Sequence, residues 1–479
     1  MMEKKRAFSK KLIIFGAGNY GSRACCKLKG SREIAYFVDN NEEMQGKSLH
    51  KIPIISVDKM KDIYNSALYE LVVCVKEYQP ITGQLADIGI TDYYIMLQGL
   101  LFRCDETEKL VPVELSRYEY YQKENDEKNI LFVQDVACIR THKIAALMKK
   151  SGYKIFLLYT AEPPEMNNAE YAEMYDAVYT FYTGKALIDF VKNSDFDIVH
   201  SSNEPDMLTN LLLITGKPVV FDTHDMMSLR NPESMENLAL EYIANTASDG
   251  NIYTSALVTE IAKKKFGLEG KELLSWENTV LEQEEITAVQ EKLSSIDGEL
   301  HCVYEGGING SNRLNHRFFE EIWEKITACG IHIHFYSPSE EKYCRELEKK
   351  SEYLHYEGKR GTKALIQEMT RYDCGLLLLN VNEQNKTFLQ TASPNKLYEY
   401  INAGLPVAVG NIKSLIDFVE KYGVGKRLDP EKDIKEQIAV ISRIPIEKDF
   451  LTKNRLTMMS KSRELVDFYE RVKKGKVSR

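Results

Sequence analysis

The amino-acid sequence predicts an α/β protein built on parallel sheets, and three observations lead to this prediction. Short apolar runs alternate with helix-compatible stretches along most of the chain, a pattern typical of doubly wound sheets. A glycine-rich turn follows the first apolar run at Gly16. A turn, a helix and an apolar strand follow one another within residues 393–409.

Length and composition restrict the classes of protein that fit this chain. Its 479 residues are enough for about three domains of ~150 residues each. A net charge of −8 argues against general nucleic-acid binding, which needs a broad basic face. The nine cysteines have neither repeated Cys-x-x-Cys pairs nor zinc-finger spacing, so we expect reduced thiols and no structural zinc. Without a leader or a long apolar run, we expect a cytoplasmic protein.

The first block, residues 1–104, is predicted to be a small nucleotide-binding domain. Strand Lys11–Phe15 leads into a glycine loop that opens a helix, and strand Ile34–Val38 ends at a carboxylate. This is the dinucleotide fingerprint, in which glycines give a tight turn and let the backbone approach a pyrophosphate. The expected ligand is NAD or another nucleotide, and the alternative is a purely structural module. Its predicted binding residues are Gly16, Gly18, Gly21 and Asp39.

The rest of the chain is divided by the same strand and helix pattern. We expect a helical linker at 105–128, α/β domains at 129–297 and 298–452, and a C-terminal helix at 453–479. A polar helical stretch at 282–298 is expected to be the hinge region between the two domains. The basic run at 140–154 is interpreted as a surface for an anionic acceptor or lipid phosphate, or as a solvated helix face.

Residues 393–409 carry the strongest functional signal. Pro394 suits a helix start and Gly404 suits a helix end, and an apolar strand follows at Val407–Val409. The first N–H groups of a helix have no partner within it and attract anions. Lys396 can therefore pair with a phosphate near this helix start, while Glu399 can accept hydrogen bonds from sugar hydroxyls.

This segment resembles the signature of retaining glycosyltransferases of family 4, which have the two-domain GT-B fold with twin Rossmann-like halves. Further short motifs of the family occur before this segment, in the order that the family shows, at 139–143, 221–225, 277–278, 304–307, 358–359 and 372–375. The resemblance implies that Glu399 binds the donor ribose and that Lys396 binds its diphosphate. One departure is Thr391, since many members carry a Glu at the equivalent position.

The resemblance also implies the site residues. The predicted catalytic residues are His224, Arg313 and Lys396, and the predicted donor-binding residues are Gly306, Gly307, Arg313, Lys396 and Glu399. Arg313 and Lys396 would neutralise the charge that grows on the leaving diphosphate, and His224 would contact the donor sugar. The cleft loops contain no Asp-x-Asp motif, so we expect no metal in the transfer reaction.

The resulting hypothesis is a retaining, metal-independent glycosyltransferase that uses a nucleotide sugar and no further cofactor. By resemblance, its setting is bacterial surface-polysaccharide or glycoconjugate synthesis, with a glycan or lipid-linked acceptor and peripheral contact with the inner face of the membrane. The first block resembles small nucleotide-binding domains joined to sugar-modifying transferases. Two alternatives stay open: an NAD-dependent oxidoreductase that uses the first block, and a non-catalytic nucleotide-sugar-binding protein.

Overall fold

The computed structural model describes residues 5–6, 10–29, 32–97, 100–104, 110–113, 116–124, 126–160, 173–181, 183–287 and 289–477. The chain divides into two compact units, Met1–Phe221 and Asp222–Arg479. Both units are α/β, with sheets that are largely parallel, so the predicted fold class is confirmed.

The first unit holds the fingerprint segment. Its strands are β1 Lys5–Arg6, β2 Lys11–Phe15, β3 Ile34–Val38, β4 Ser48–Leu49, β5 Ile52–Ile55, β6 Tyr69–Val73, β7 Tyr94–Leu97, β8 Leu100–Cys104, β9 Leu110–Val113, β10 Ser116–Arg117, β11 Lys128–Gln134, β12 Tyr153–Tyr159, β13 Ala177–Thr180 and β14 Ile198–Ser202. Its described helices are Asn19–Leu28, Val57–Ile63, Gln79–Asp87, Ile139–Lys150, Gly184–Asn193 and Asp206–Leu213. Strand β15, Val219–Thr223, contains the boundary between the units.

The second unit holds the 393–409 segment. Its further strands are β16 Gly250–Tyr253, β17 Glu272–Ser275, β18 Leu300–Glu305, β19 Ile331–Tyr336, β20 Leu354–Gly358, β21 Cys374–Leu377, β22 Val407–Val409 and β23 Gly425–Arg427. Its α-helices are Met227–Arg230, Met235–Ala247, Ala256–Phe266, Leu293–Asp297, Glu320–Thr327, Glu341–Glu348, Thr362–Met369, Lys386–Leu389, Asn395–Asn402, Lys413–Tyr422, Ile434–Ile441, Phe450–Lys453 and Ser462–Val477. A 3₁₀ turn occupies Met459–Lys461.

The first sheet has the order β4-β5-β3-β2-β6-β7-β8-β9. Its central strands β5, β3, β2, β6 and β7 pair in parallel, so the chain reverses direction across the sheet between β2 and β6. Strand β2 is apolar and buried after its first residue, as expected where both faces are covered. Ligands of open α/β sheets bind at such a reversal, where the carboxyl ends of the strands diverge.

The other two large sheets have the same kind of order. One is β13-β12-β11-β14-β15-β16-β17, and the other, entirely within the second unit, is β20-β19-β18-β21-β22-β23. The pairs of the six-stranded sheet are all parallel. Its reversal point lies between β18 and β21, so the loops after these two strands are where a ligand is expected.

The helical linker predicted at 105–128 is wrong for the part of it that the structure describes. Strand β9 extends the first sheet by pairing antiparallel with β8, and the short strand β10 pairs antiparallel with β1. The sequence of β9, Leu-Val-Pro-Val, is rich in β-branched residues, which favour strands. Its proline is tolerated because β9 is at the edge of the sheet.

The polar helix predicted at 282–298 is also largely wrong, because among the described residues of this range only Leu293–Asp297 is helical. The preceding backbone is held instead by side chains of other elements. The N–H of Glu284 donates to Asn402 Oδ1 at 3.1 Å, and the N–H of Thr287 donates to Gln367 Oε1 at 3.0 Å. These bonds replace helical ones.

The C-terminal helix, predicted from residue 453, begins at Ser462. The chain before this helix runs alongside the segment around Val280, where the N–H of Met458 donates to the carbonyl of Val280 at 2.9 Å. Arg455 has a φ of 53°, which interrupts a helical path at this point.

The basic run at 140–154 is not simply a solvated helix face. Arg140, His142 and Lys143 are buried in helix Ile139–Lys150. Burial lowers the pKa of His142 to about 4, so that its imidazole is neutral at pH 7. The run's role as an anionic-acceptor or lipid surface therefore stays a prediction for its exposed part only. Among the described helices, none combines the length and apolar character needed to cross a membrane.

Candidate functional site

The helix predicted from Pro394 forms as Asn395–Asn402. Pro394 caps it with φ −75° and ψ 139°, an extended conformation, and its carbonyl accepts a hydrogen bond from the N–H of Leu397 at 3.3 Å. The chain leaves the helix at Gly404, whose φ of 77° is open to glycine at little cost. The helix buries its face of apolar residues, Leu397, Tyr398 and Ile401, against the sheet core.

A side chain from another element fixes the loop in front of this helix. Asn278 Nδ2 donates to the carbonyl of Ser393 at 3.0 Å. The helix start is therefore held by a hydrogen bond to a loop that follows β17. Asn278, which belongs to the family motif at 277–278, thus positions the backbone at Ser393.

Lys396 occupies a half-buried position at the start of the helix. Its Nζ lies 3.4 Å from Tyr304 Oη and 4.7 Å from the centroid of the Tyr304 ring. Burial lowers the pKa of Lys396 to about 8, against the opposing effects of the Glu305 and Glu399 carboxylates, while Arg317 lowers it further. The ammonium is thus still charged at neutral pH, and it is a point charge suited to a phosphate.

Two glycines follow β18, and because they have no side chains, the cationic side chains of the site can approach the backbone there. Gly306 has a φ of 119°, and a Cβ placed on it would lie 2.5 Å from Lys396 Nζ. A Cβ on Gly307 would lie 2.7 Å from Arg317 Nη1. The loop at the carboxyl end of β18 therefore needs these two glycines so that Lys396 and Arg317 can approach its backbone.

The structure does not bring Arg313 to the two glycines, and Arg317 lies against Gly307 instead. The segment between the two glycines and helix Glu320–Thr327 turns back on itself, because the N–H of Asn309 donates to the carbonyl of Arg317 at 3.0 Å. Arg313 is at the far end of this excursion, with a side chain that is 80% exposed. Its guanidinium lies 3.9 Å from the carboxylate of Glu321.

The sequence holds a signal for this loop that points to Arg317. Three asparagines at spacing three form local turns in which each side chain accepts backbone N–H bonds: Asn309 from Ser311 and Asn312, Asn312 from Leu314, and Asn315 from Arg317. Such Asx turns define a compact loop whose last residue is held next to its first. The arginine at the end of the turn series is therefore the better candidate than the arginine in its middle.

His224 lies just beyond β15, and its imidazole contacts a buried carboxylate. Its Nε2 is 3.2 Å from Asp222 Oδ2, and the Asp222 side chain is 0% exposed. A carboxylate on one ring nitrogen orients the ring. The predicted contact of His224 with a donor sugar therefore has a positioning partner in Asp222.

His224, Arg317 and Lys396 line a single pocket of about 170 Å³, and His224 and Lys396 are two of the residues that the sequence predicts for the site. The pocket's lining is His224, Asp225, Met226, Thr254, Val258, Asn278, His316, Arg317, Leu379, Phe388, Leu389, Thr391, Ala392, Ser393, Pro394 and Lys396. Thr391, the departure from the family pattern, also faces it. The site thus lies at the reversal point of the six-stranded sheet.

His316 is a lining residue that sequence reasoning missed. Burial, with the nearby charges of Arg317, Arg230 and Lys396, lowers the pKa of His316 to about 4. It is therefore a neutral hydrogen-bonding group at pH 7. Glu399, predicted to bind ribose, is buried to 8% exposure one turn further along the helix. Its carboxylate is close enough to raise the pKa of Lys396.

A larger pocket of about 270 Å³ lies at the carboxyl ends of β21, β22 and β23. It is lined by residues such as Asn380, Gly410 and Arg427, and by the helix that begins at Glu320. The predicted catalytic residues do not line it. Its volume alone gives no reason to prefer it to the smaller pocket, where charged groups converge.

The glycine loop of the first unit has the geometry that its motif predicts. Gly16 has a φ of 109° and lies against the backbone of Cys74. A Cβ on Gly21 would lie 1.7 Å from the carbonyl oxygen of Gly16, so the helix packs directly on the turn. Gly18 is different, because an added Cβ would meet no atom of the described residues within 4 Å. Its surroundings are open, as a close approach of ligand to backbone requires.

Asp39, predicted to bind ribose, contacts the glycine loop itself. Its Oδ2 accepts a hydrogen bond from the N–H of Ala17 at 2.6 Å, and its Oδ1 accepts one from the N–H of Asn41 at 2.9 Å. The carboxylate thus ties the end of β3 to the turn after β2. This contact is a structural function, and ribose binding by the remaining lone pairs stays a prediction.

Comparison with known protein families finds two matches. Residues 312–450 match the family described as glucosyltransferase 3-like, C-terminal domain. Residues 8–96 match the family described as C2185-like, N-terminal. No curated protein matches the chain.

Solved structures with a similar fold are distant in sequence. Alr3699/HepE from Anabaena, in complex with UDP and glucose, is 15% identical with a TM-score of 0.48, and the alignment covers 74% of this chain and 100% of that one. A UDP-glucosyltransferase from Polygonum tinctorium is 12% identical with a TM-score of 0.42, covering 74% and 99%. A protein from Listeria monocytogenes, provisionally described as a UDP-N-acetylglucosamine 2-epimerase, is 11% identical with a TM-score of 0.42. The alignment covers 71% of this chain and 97% of that one. Residues 312–450 are thus similar to a glucosyltransferase C-terminal domain, and in the chain as a whole an α/β sheet at residues 11–113 precedes two further, largely parallel sheets.

Proposed function

We propose that the chain is a retaining, metal-independent glycosyltransferase that transfers a sugar from a nucleotide sugar to a glycan or lipid-linked acceptor. The observation that carries the proposal is the convergence of Lys396, Arg317 and His224 on one pocket at the reversal point of the six-stranded sheet. The match of 312–450 to a glucosyltransferase-like family supports a glycosyl donor.

The chemistry of the proposed reaction fits these residues. When the glycosidic bond to the donor breaks, negative charge develops on the departing diphosphate. Lys396, Arg317 and the N–H groups at the start of helix Asn395–Asn402 would stabilise that charge without a metal cation. Glu399 would accept hydrogen bonds from the ribose hydroxyls. His224, oriented by Asp222, would contact the sugar.

The finer assignments rest on the family resemblance. We propose residues 298–452 as the donor domain and residues 129–297 as the acceptor-side domain. A role in bacterial surface-polysaccharide or glycoconjugate synthesis, a cytoplasmic location and peripheral contact with the inner face of the membrane are further parts of the proposal. The buried half of the basic helix Ile139–Lys150 restricts any membrane contact to that helix's exposed lysines.

The direct test is calorimetry with UDP-glucose, followed by other UDP-, GDP- and dTDP-sugars, on the wild type and on Lys396→Ala. We expect one donor class to bind saturably and the variant to bind it at least about tenfold more weakly. Donor hydrolysis or transfer by the wild type would then identify an enzyme. Binding without any turnover over a panel of acceptors would favour the non-catalytic binding protein.

A second nucleotide site is supported by the geometry at Gly16, Gly18 and Gly21. We propose that this loop binds NAD or another nucleotide, since the space around Gly18 admits a ligand against the backbone. The same calorimetry with NAD and NADP tests this. Oxidation or reduction of a bound nicotinamide would favour the alternative oxidoreductase.

A further inference from the structure

Four histidines share one face of the six-stranded sheet, away from the pocket. His301 is on β18, His332 and His334 are on β19, and His355 is on β20. The strand register sets His301 beside His332, and His334 beside His355. In both pairs the ring centroids are 4.4 Å apart, and the rings are stacked. His301 and His332 are the second residues of their strands, so this cluster is at the amino ends, opposite the carboxyl-end loops of the proposed donor site.

Three carboxylates contact the imidazoles of this histidine cluster. Asp297 Oδ2 lies 2.9 Å from His301 Nε2, and Glu299 Oε2 lies 2.6 Å from His332 Nε2. Glu357 Oε1 lies 2.7 Å from His334 Nδ1.

The imidazoles also contact one another. The distance from His301 Nδ1 to His334 Nε2 is 3.0 Å, and the distance from His332 Nδ1 to His355 Nε2 is 2.8 Å. Every ring nitrogen of His301, His332 and His334 is therefore within hydrogen-bond distance of another group.

The series of hydrogen-bonding groups Asp297–His301–His334–Glu357 is unusual in the number of hydrogens that it needs. It has three short contacts in series, and each contact needs one hydrogen between its two atoms. Two neutral imidazoles supply two hydrogens, and ionised carboxylates supply none. One contact is therefore left without a hydrogen unless this series of groups takes up a cation, which is either a proton or a metal ion.

We propose that Asp297, His301 and His332 bind a divalent transition-metal ion of the Zn²⁺ type, with Glu299 as the fourth ligand. The candidate ligand atoms of the first three residues lie within 4.8 Å of one another. Tetrahedral zinc with bonds of about 2.0–2.1 Å needs ligand atoms roughly 3.3 Å apart, so the ligand atoms of these three residues would each move by about an ångström or less. The stacked imidazoles of His301 and His332 would also tilt toward the shared ion.

The metal ion supplies the missing cation and lets every imidazole stay neutral. With the ion on Nε2 of His301 and of His332, their Nδ1–H groups donate to His334 and His355. The Nδ1–H of His334 is then free to donate to Glu357. A ligating histidine whose second nitrogen donates to a polar partner is the usual arrangement around protein-bound zinc.

The charges and the access of this site also fit a metal. The two carboxylates on the ion, from Asp297 and Glu299, balance a divalent charge. Their side chains are 44% and 47% exposed, so an ion can enter from solvent. They are one residue apart across Gly298, whose φ of 81° turns the chain at the end of helix Leu293–Asp297. Because the ion would join the amino ends of β18 and β19, its role would be to stabilise the sheet.

The test uses the full chain after chelator treatment and dialysis, titrated with Zn²⁺ in a calorimeter near neutral pH. We expect one Zn²⁺ per chain, a raised thermal unfolding midpoint, and a Co²⁺-loaded protein with the intense visible bands of a tetrahedral site. Asp297→Asn and His332→Asn should each weaken Zn²⁺ binding at least about tenfold, roughly 1.4 kcal/mol. His355→Asn, which removes only a hydrogen-bond partner of a ligand, should weaken it less and keep the Co²⁺ bands.

The matched control is His50→Asn, because His50 lies in the first unit and contacts Ser22. It should bind Zn²⁺ like the wild type. The double variant Asp297→Asn with Glu299→Gln alters only exposed side chains, so it should fold even if a histidine variant does not. Absence of saturable Zn²⁺ binding, or equal binding by the wild type and that double variant, would refute the site.

Discussion

The ammonium of Lys396 lies over the ring of Tyr304, with Nζ 4.7 Å from the ring centroid. A cation over an aromatic face is stabilised by the ring's quadrupole, and the carboxylates of Glu305 and Glu399 act in the same direction. These contacts partly offset the desolvation that lowers the pKa of Lys396 to about 8. An ammonium stabilised in this way beside the pocket can receive a phosphate.

Lys396→Ala and Glu399→Ala are each expected to cut donor affinity or turnover at least tenfold, about 1.4 kcal/mol. The first removes a charge facing the pocket, and the second removes the proposed ribose acceptor. Lys413→Ala is the control, since Lys413 forms an exposed pair with Asp417 on another helix. Initial rates and calorimetry measure the effect, and wild-type values in both site variants would remove these residues from the site.

Donor affinity is expected to fall as the pH rises above about 8. An anion binds the protonated form of Lys396, so affinity is complete below the pKa and declines above it by at most about tenfold per pH unit. Binding in this range should take up protons, which calorimetry in buffers of different ionisation enthalpy measures. Lys396→Arg keeps its charge and should lose this pH dependence. A wild type with constant affinity across the range would show that Lys396 does not contact the anion.

Sequence patterns predicted the parts of the structure that depend on local rules. The helix Asn395–Asn402 formed where a proline and a glycine bracket an apolar face, and the glycine turn at Gly16 formed directly after a buried strand. The helix predicted at 282–298 failed because its backbone N–H groups bond to Asn402 and Gln367, which are distant in sequence. The histidine cluster was missed for the same reason, since strand register and not chain spacing brings His301 beside His332.

Arg317→Ala is expected to weaken donor binding at least about tenfold, whereas Arg313→Ala should have little effect. The two arginines are in one loop, but only Arg317 lines the pocket and lies against Gly307. The pair is a matched comparison, because each variant removes the same side chain. Isothermal titration of both with the donor decides between them. A larger loss in Arg313→Ala would support the assignment made from sequence over the one made from structure.

Added chelator is expected to leave transfer unchanged at temperatures where the protein stays folded. Arg317, Lys396 and helix N–H groups would meet the charge of the leaving group in place of a divalent cation. The proposed Zn²⁺ ion at Asp297 is at the other end of β18, so its removal should lower the thermal midpoint without changing the rate. Loss of turnover on chelation, restored by Mg²⁺ or Mn²⁺, would contradict the metal-independent mechanism.

The glycine loop of the first unit gives a prediction that separates its ligand from the sugar donor. Gly18 has a φ of −84°, which any residue adopts, and within the part of the chain that the structure describes an added Cβ meets no atom within 4 Å. Gly18→Val should therefore fold while its side chain fills the space that a pyrophosphate needs. Gly21→Ala is the contrasting variant, since its Cβ would lie 1.7 Å from the carbonyl oxygen of Gly16 and should destabilise the fold.

We expect Gly18→Val to lose NAD or nucleotide binding and to keep donor binding at Lys396, because the two loops belong to different units. Calorimetry with both ligands, after circular dichroism has confirmed folding, measures this. Undiminished nucleotide binding would show that the loop does not hold the ligand, and loss of donor binding in the folded variant would show that the two sites are coupled.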